Sequence, residues 1–175
     1  MILRRMTLHR ILAAGSCAVL FGIPALAQSA KLNSSDKAFL RMAAVTNMTE
    51  AHLGEMAENM AAQSGIKDFG QTLAKDHTKA YQELAVLGTQ LGQPIPKGIN
   101  ARRDQEIERL TDLKGKRFDA QFLRDEVKDH ERVVAAFKRE AEHGHDQQIK
   151  AYATQELPIV EGHLREAERL LKHPA

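Results

Sequence analysis

Cysteine is nearly missing from this chain. Its one thiol, Cys17, lies inside an apolar amino-terminal run, so loss of that run would leave neither a disulfide nor a thiolate. A metal held by the remainder must then be held by His, carboxylate or Met. Equally absent are a Gly-rich phosphate loop, a nucleophile elbow and a Cys-His haem attachment motif, so nucleotide binding, acyl transfer and covalent haem have no support here. No stretch alternates polar and apolar residues with period two for long enough to make a strand. The apolar run at 11–23 is too short to span a bilayer comfortably.

That run has the setting of a cleavable secretory signal. Arg4, Arg5 and Arg10 precede it without an acid, and Ala25-Leu26-Ala27 closes it with small residues around a larger one. The expected organisation is a signal peptide over 1–27, a flexible arm over 28–35 and one domain over 36–175, exported to the periplasm. Cleavage after Ala27 leaves 22 of the 25 Lys+Arg against all 23 Asp+Glu, which moves the formal charge from +2 to −1. The basic balance belongs to the leader. It gives no reason to expect nucleic acid or an anionic membrane as a partner, and no stable membrane insertion is expected once the leader is gone.

What the chain does have is helical periodicity. Apolar residues recur at helical spacing over 36–62, 66–91, 116–142 and 146–172, and a shorter helix is expected over 101–112. Ser34 and Ser35 are N-cap candidates, Ser64-Gly65 reads as a reversal, and Gly92 reads as a stop. Gly92-Gln93-Pro94-Ile95-Pro96-Lys97-Gly98 cannot be helical and must connect. The chain also repeats weakly: Phe39-Leu40-Arg41 returns as Phe122-Leu123-Arg124, and Ile66-Lys67-Asp68-Phe69 as Ile149-Lys150-Ala151-Tyr152, both 83 positions on. Two related helical hairpins make a four-helix bundle. A helix of about 26 residues is about 39 Å long. The connection over 92–115 supplies about 18 Å of helix and about 23 Å of extended chain, enough to cross the bundle as a ferritin-like topology requires.

Each long stripe is interrupted by one ionisable residue: Glu50, His77, His130 and His163. Burying such groups is costly unless they are paired, hydrogen-bonded or bound to metal. Counted from the turns, Glu50, His77 and His130 share a mid-bundle level, while His163 falls about 7 Å away by helical rise. Glu156 is nearer that level on the last helix. Glu126, one turn before His130, is a further ligand candidate, and Asp76 and Asp129 are candidates for holding the histidines from neighbouring helices. Imidazole and carboxylate together suit Fe, Zn, Mn, Ni or Cu(II). The competing reading is a buried polar network that fixes the packing register. Weaker signals are His52 between Met48 and Met56, and Glu142-His143-Gly144-His145-Asp146 at a turn.

From Asp36 onward the chain resembles the exported bacterial family known as domain of unknown function 4142. The matching residues are Asp36-Lys37-Ala38-Phe39-Leu40, Glu50 through Leu53-Gly54, Phe69-Gly70, Asp76-His77, Phe118-Asp119, Val127-Lys128-Asp129-His130-Glu131, Leu157-Pro158 and His163-Leu164. The resemblance implies a ferritin-like four-helix bundle and export, and it implies no activity. Di-iron ferritins place Glu three residues before His on two helices. Here those positions hold Ala74, Val127 and Val160, which speaks against a carboxylate-rich ferroxidase and against iron storage. Two functions stay open: a periplasmic metal-binding bundle for storage, buffering or a mononuclear redox role, and a non-enzymatic envelope protein whose cluster is only polar core. Haem held by axial His is less expected than either.

Overall fold

The structure, a computed structural model, describes residues 32–173. The leader expected over 1–27 and the arm up to residue 31 lie outside the described residues. Five helices follow in order: α1 Ser34–Met60, α2 Ser64–Gln90, α3 Ala101–Thr111, α4 Lys116–His143 and α5 Gln147–Lys172. No strand occurs among the described residues, and none of their helices is long and apolar enough to cross a membrane. The fold is an all-α four-helix bundle with α3 in the long connection.

Two boundaries differ from expectation. Asn33, not Ser34 or Ser35, caps α1, its side-chain oxygen accepting the Asp36 N–H at 2.8 Å. The serines are therefore helical, and the arm stops short of residue 34. Ser64 and Gly65 open α2 instead of making the reversal. The chain turns at residues 61–63 because the Asp119 carboxylate accepts the N–H groups of Ala62 and Gln63, at 2.9 and 3.2 Å.

That contact also fixes the topology. It places the start of α4 at the end of the bundle where α1 turns into α2. From this end α2 runs the full length to Gly92, whose φ of +62° is the left-handed stop that glycine accommodates. The connection carrying α3 must return the whole way, so the link is a crossover. At the opposite end the Asp36 carboxylate accepts the N–H groups of His145 and Asp146, at 3.2 and 3.0 Å. Acceptors and donors at the two ends are all 83 positions apart. Each hairpin thus latches the turn of the other by the same device.

Within the first hairpin, α1 and α2 touch backbone to backbone. A Cβ on Gly54 would lie 2.6 Å from the Gly70 oxygen and the Ala74 nitrogen. The apolar core falls into two clusters. One gathers Phe39, Leu40, Phe137, Ile149 and Tyr152, and the other Leu53, Phe69, Leu73, Phe118 and Phe122. Buried polar side chains lie at mid-bundle with them.

Candidate metal centre

Glu50, His77, His130 and His163 are all buried, from 0 to 5% exposed, one on each long helix. The three imidazoles form a compact trio with ring centroids 5.1 to 5.7 Å apart. One ligand atom from each lies within 4.8 Å of the other two. Glu50, Glu126 and His130 form a second such group, so His130 belongs to both.

The hydrogen bonds behind the rings decide which nitrogens face inward. His77 Nδ1 lies 2.9 Å from Asn47 Oδ1. Asn47 Nδ2 donates to the Tyr152 hydroxyl at 3.0 Å, and that hydroxyl donates to the Ala80 carbonyl at 3.2 Å. The chain of donors leaves Asn47 Oδ1 only the role of acceptor, so His77 carries its proton on Nδ1. His130 Nδ1 lies 3.1 Å from the Glu126 carbonyl oxygen, which can only accept. On the third ring His163 Nε2 lies 3.1 Å from an Asp76 carboxylate oxygen. The remaining nitrogens, His77 Nε2, His130 Nε2 and His163 Nδ1, are then lone pairs, and all three are buried with no partner. An imidazole that donates its outer N–H to a carboxylate or carbonyl and offers the other nitrogen inward is arranged as metal-bound histidines are.

The carboxylates present the complementary problem. Both oxygens of Glu50 and Oε2 of Glu126 are buried with no donor from elsewhere in the protein, and the two side chains can hydrogen-bond to each other once one of them holds a proton. Glu126 Oε2 lies 3.2 Å from His130 Nδ1, but that N–H is turned to the backbone carbonyl. Burial raises Glu50 well above the usual carboxylate range, and the neighbouring Glu126 raises it further. Burial pushes Glu126 up to about 8. His77 and His163 move the other way: burial lowers both, and the neighbouring His130 lowers both further. Neutral imidazoles are what a metal needs, with no proton to displace. A buried carboxylate pair without a cation has to hold a proton instead. The three nitrogens, from α2, α4 and α5, suit a borderline divalent ion, and Glu50, Glu126 and His130 make an adjoining group that shares only His130 with them.

The structure corrects the expected depth of His163. Along the chain His163 is offset from the other groups, yet its ring is 5.1 Å from that of His77. Side chains lean toward the amino terminus of their helix. Since α2 and α5 run in opposite directions, His77 and His163 lean toward each other and close the gap. Glu156, the alternative from α5, is buried but bonds to Gln155 and joins neither group. Asp76 holds His163 from the neighbouring helix. Asp129 does not reach the cluster, because Arg103 and Arg132 occupy its oxygens. His52, His143 and His145 are exposed and outside both groups.

Sequence reasoning missed two participants. Asn47 orients His77 from the inward face of α1, and its signal was available, since it stands 83 positions before His130. Arg103 reaches from α3 to Asp129 and to Glu106, the latter at 2.6 Å, and so brings a buried cation close to the carboxylates. Nothing local in a short polar helix announces that reach.

A family model described as domain of unknown function (DUF4142) matches residues 22–170. The chain belongs to that family. Among solved structures, this DUF4142 chain is similar to the DUF305 fragment from Deinococcus radiodurans, with a TM-score of 0.71 at 15% identity, covering 82% of this chain and 99% of that one. It is also similar to a conserved hypothetical protein from Mycobacterium tuberculosis, with a TM-score of 0.65 at 15% identity, covering 81% of this chain and 94% of the other. At such identity the likeness speaks for the fold alone. No curated protein matches.

Proposed function

We propose that this protein is exported to the periplasm and binds one transition-metal ion at mid-bundle, for storage or buffering. His77, His130 and His163 would supply the nitrogens, with Glu50 and Glu126 as carboxylate ligands. The observation that carries this reading is the trio of unpartnered, buried histidine nitrogens, His77 Nε2, His130 Nε2 and His163 Nδ1. Each of the three rings is tied by one nitrogen and keeps the other buried without a partner, and one ligand atom from each ring lies within 4.8 Å of the other two. A network built only to fix packing register would satisfy these atoms with each other, because an unsatisfied buried polar atom costs about 1–3 kcal/mol.

The deciding experiment is elemental analysis of the chain purified without a His tag, beside a His77→Ala/His130→Ala variant. About one ion per chain, lost in the variant, is the expected result, and it would name the metal. Metal in neither protein, with the variant merely less stable, would make the cluster polar core and move the search for function to the mixed-charge surface.

A further inference from the structure

His163 differs from its partners in having two environments. Its inner face belongs to the cluster, and its outer face forms a section of the wall of a surface groove of about 490 Å³ between α2 and α5. Within that groove the ring bonds to Asp76, whose side chain is about one-third exposed, at 31%. Glu50 and His130 are at 0%, by contrast. The imidazole of His163 is therefore the layer that separates interior lone pairs from a carboxylate facing water.

The α5 wall beside the ring also contains a proline and a glycine. Pro158 has no N–H to give the Thr154 carbonyl, and helices loosen at such a residue. Gly162 next to His163 has no side chain, and a Cβ built there meets nothing closer than Arg165 Nη2 at 3.8 Å. Bulk is missing where the ring would need room to swing. Asp68 and Asp76 line the α2 side, and the cation on the α5 side, Arg169, is paired with Glu166, so the groove keeps a net negative charge that draws a cation in.

We propose that the α2–α5 groove is the route by which a divalent transition-metal cation enters and leaves the centre, with the His163 ring as its inner gate. The proposal rests on the metal reading above. It assigns the groove a kinetic role: blocking it changes how fast the ion exchanges and leaves the bound state as it was.

The test uses Co²⁺, whose visible absorption reports coordination, on the full chain and three variants. Gly162→Phe and Thr72→Phe fill the groove from opposite walls, and Ala85→Phe adds the same bulk in a different cleft, beside Tyr81 and Gly88. The expected result is one Co²⁺ with an unchanged spectrum in all four proteins. Loading and chelator stripping should both slow about tenfold in the two groove variants only, the effect of about 1.4 kcal/mol on the barrier. Normal rates in both groove variants would overturn the route, and so would equal slowing in Ala85→Phe. Absence of any Co²⁺ spectrum in the unmodified chain is a separate result, which removes the metal reading and the route with it.

Discussion

The two hairpins of this bundle share a plan and differ in their interiors. Asp36 and Asp119 latch opposite turns in the same way, and Phe39 and Phe122 occupy equivalent core positions. At mid-bundle the equivalence ends. At an offset of 83, His77 corresponds to Val160, His163 to Ala80, His130 to Asn47, Glu50 to Val133 and Glu126 to Ala43. No ligand candidate is matched by another. The scaffold is doubled while the centre is single, assembled from different positions of the two copies. The close pack of Gly54 on Gly70 likewise has Phe137 and Ala153 as its counterpart. Repetition in the sequence therefore speaks for the ends and the core, and the broken positions point to the chemistry.

Restoring symmetry at the centre should have the largest effect. Glu50→Val installs the residue that its counterpart already carries. It should abolish metal binding and stabilise the metal-free chain at pH 8 by up to about 4 kcal/mol, as removal of buried charge often does. The sign follows from the shifts. Glu50 is raised well above the usual 4.5 and Glu126 to about 8, so the contribution of the pair is full below 4.5 and is lost as pH rises through the raised values. His77 and His163 are lowered from 6.5, so their contribution is present above 6.5 and is lost as pH falls below it. Urea unfolding of chelator-treated protein at pH 5 and pH 8 checks both arms. Equal stability of variant and parent at pH 8 would refute the buried-carboxylate account.

The glycine contact comes next. Gly54→Ala must push the α1 and α2 backbones apart and should cost about 3 kcal/mol. The reverse change at the buried counterpart of Gly70, Ala153→Gly, should cost only about 1 kcal/mol through helix propensity. Thermal melts of the pair would show whether the first hairpin is the tighter one.

The latches follow in size. Asp119→Ala leaves two backbone N–H groups without their acceptor and should cost about 2 kcal/mol. Asp36→Ala should cost less, because Glu140 is buried beside Asp36, and that neighbour helps to hold Glu140 above its usual range after burial itself. Ala57 takes the place of Glu140 in the other half. A larger loss at Asp36 than at Asp119 in urea unfolding would contradict this account. The smallest effect is expected at Gly162, whose counterpart is Lys79. Gly162→Ala fills open space on a helix and should raise stability by at most about 1 kcal/mol.

The helices, the crossover and the inward placing of Glu50, His77, His130 and His163 were legible because each is written in local periodicity or chain length. What escaped was whatever depends on two elements at once. The lean of His77 toward His163 requires knowing that α2 and α5 are antiparallel neighbours. The reversal at residues 61–63 is set by Asp119, more than 50 positions away. Asn33 outcompeted two serines for the cap of α1, a choice among three good acceptors that spacing alone does not make. Arg103 lies on a helix whose pattern says only that it is polar.

Each hairpin packs far more extensively within itself than against its twin. Contacts close in sequence favour early formation, and cooperative opening units often coincide with supersecondary motifs, so the halves should behave as two foldons joined by a thin seam. An ion drawing on α1, α2, α4 and α5 together crosses that seam. Native-state hydrogen exchange should therefore see two separately opening units in the empty chain and one cooperative unit in the loaded one: the ion would weld two half-domains into a single thermodynamic body.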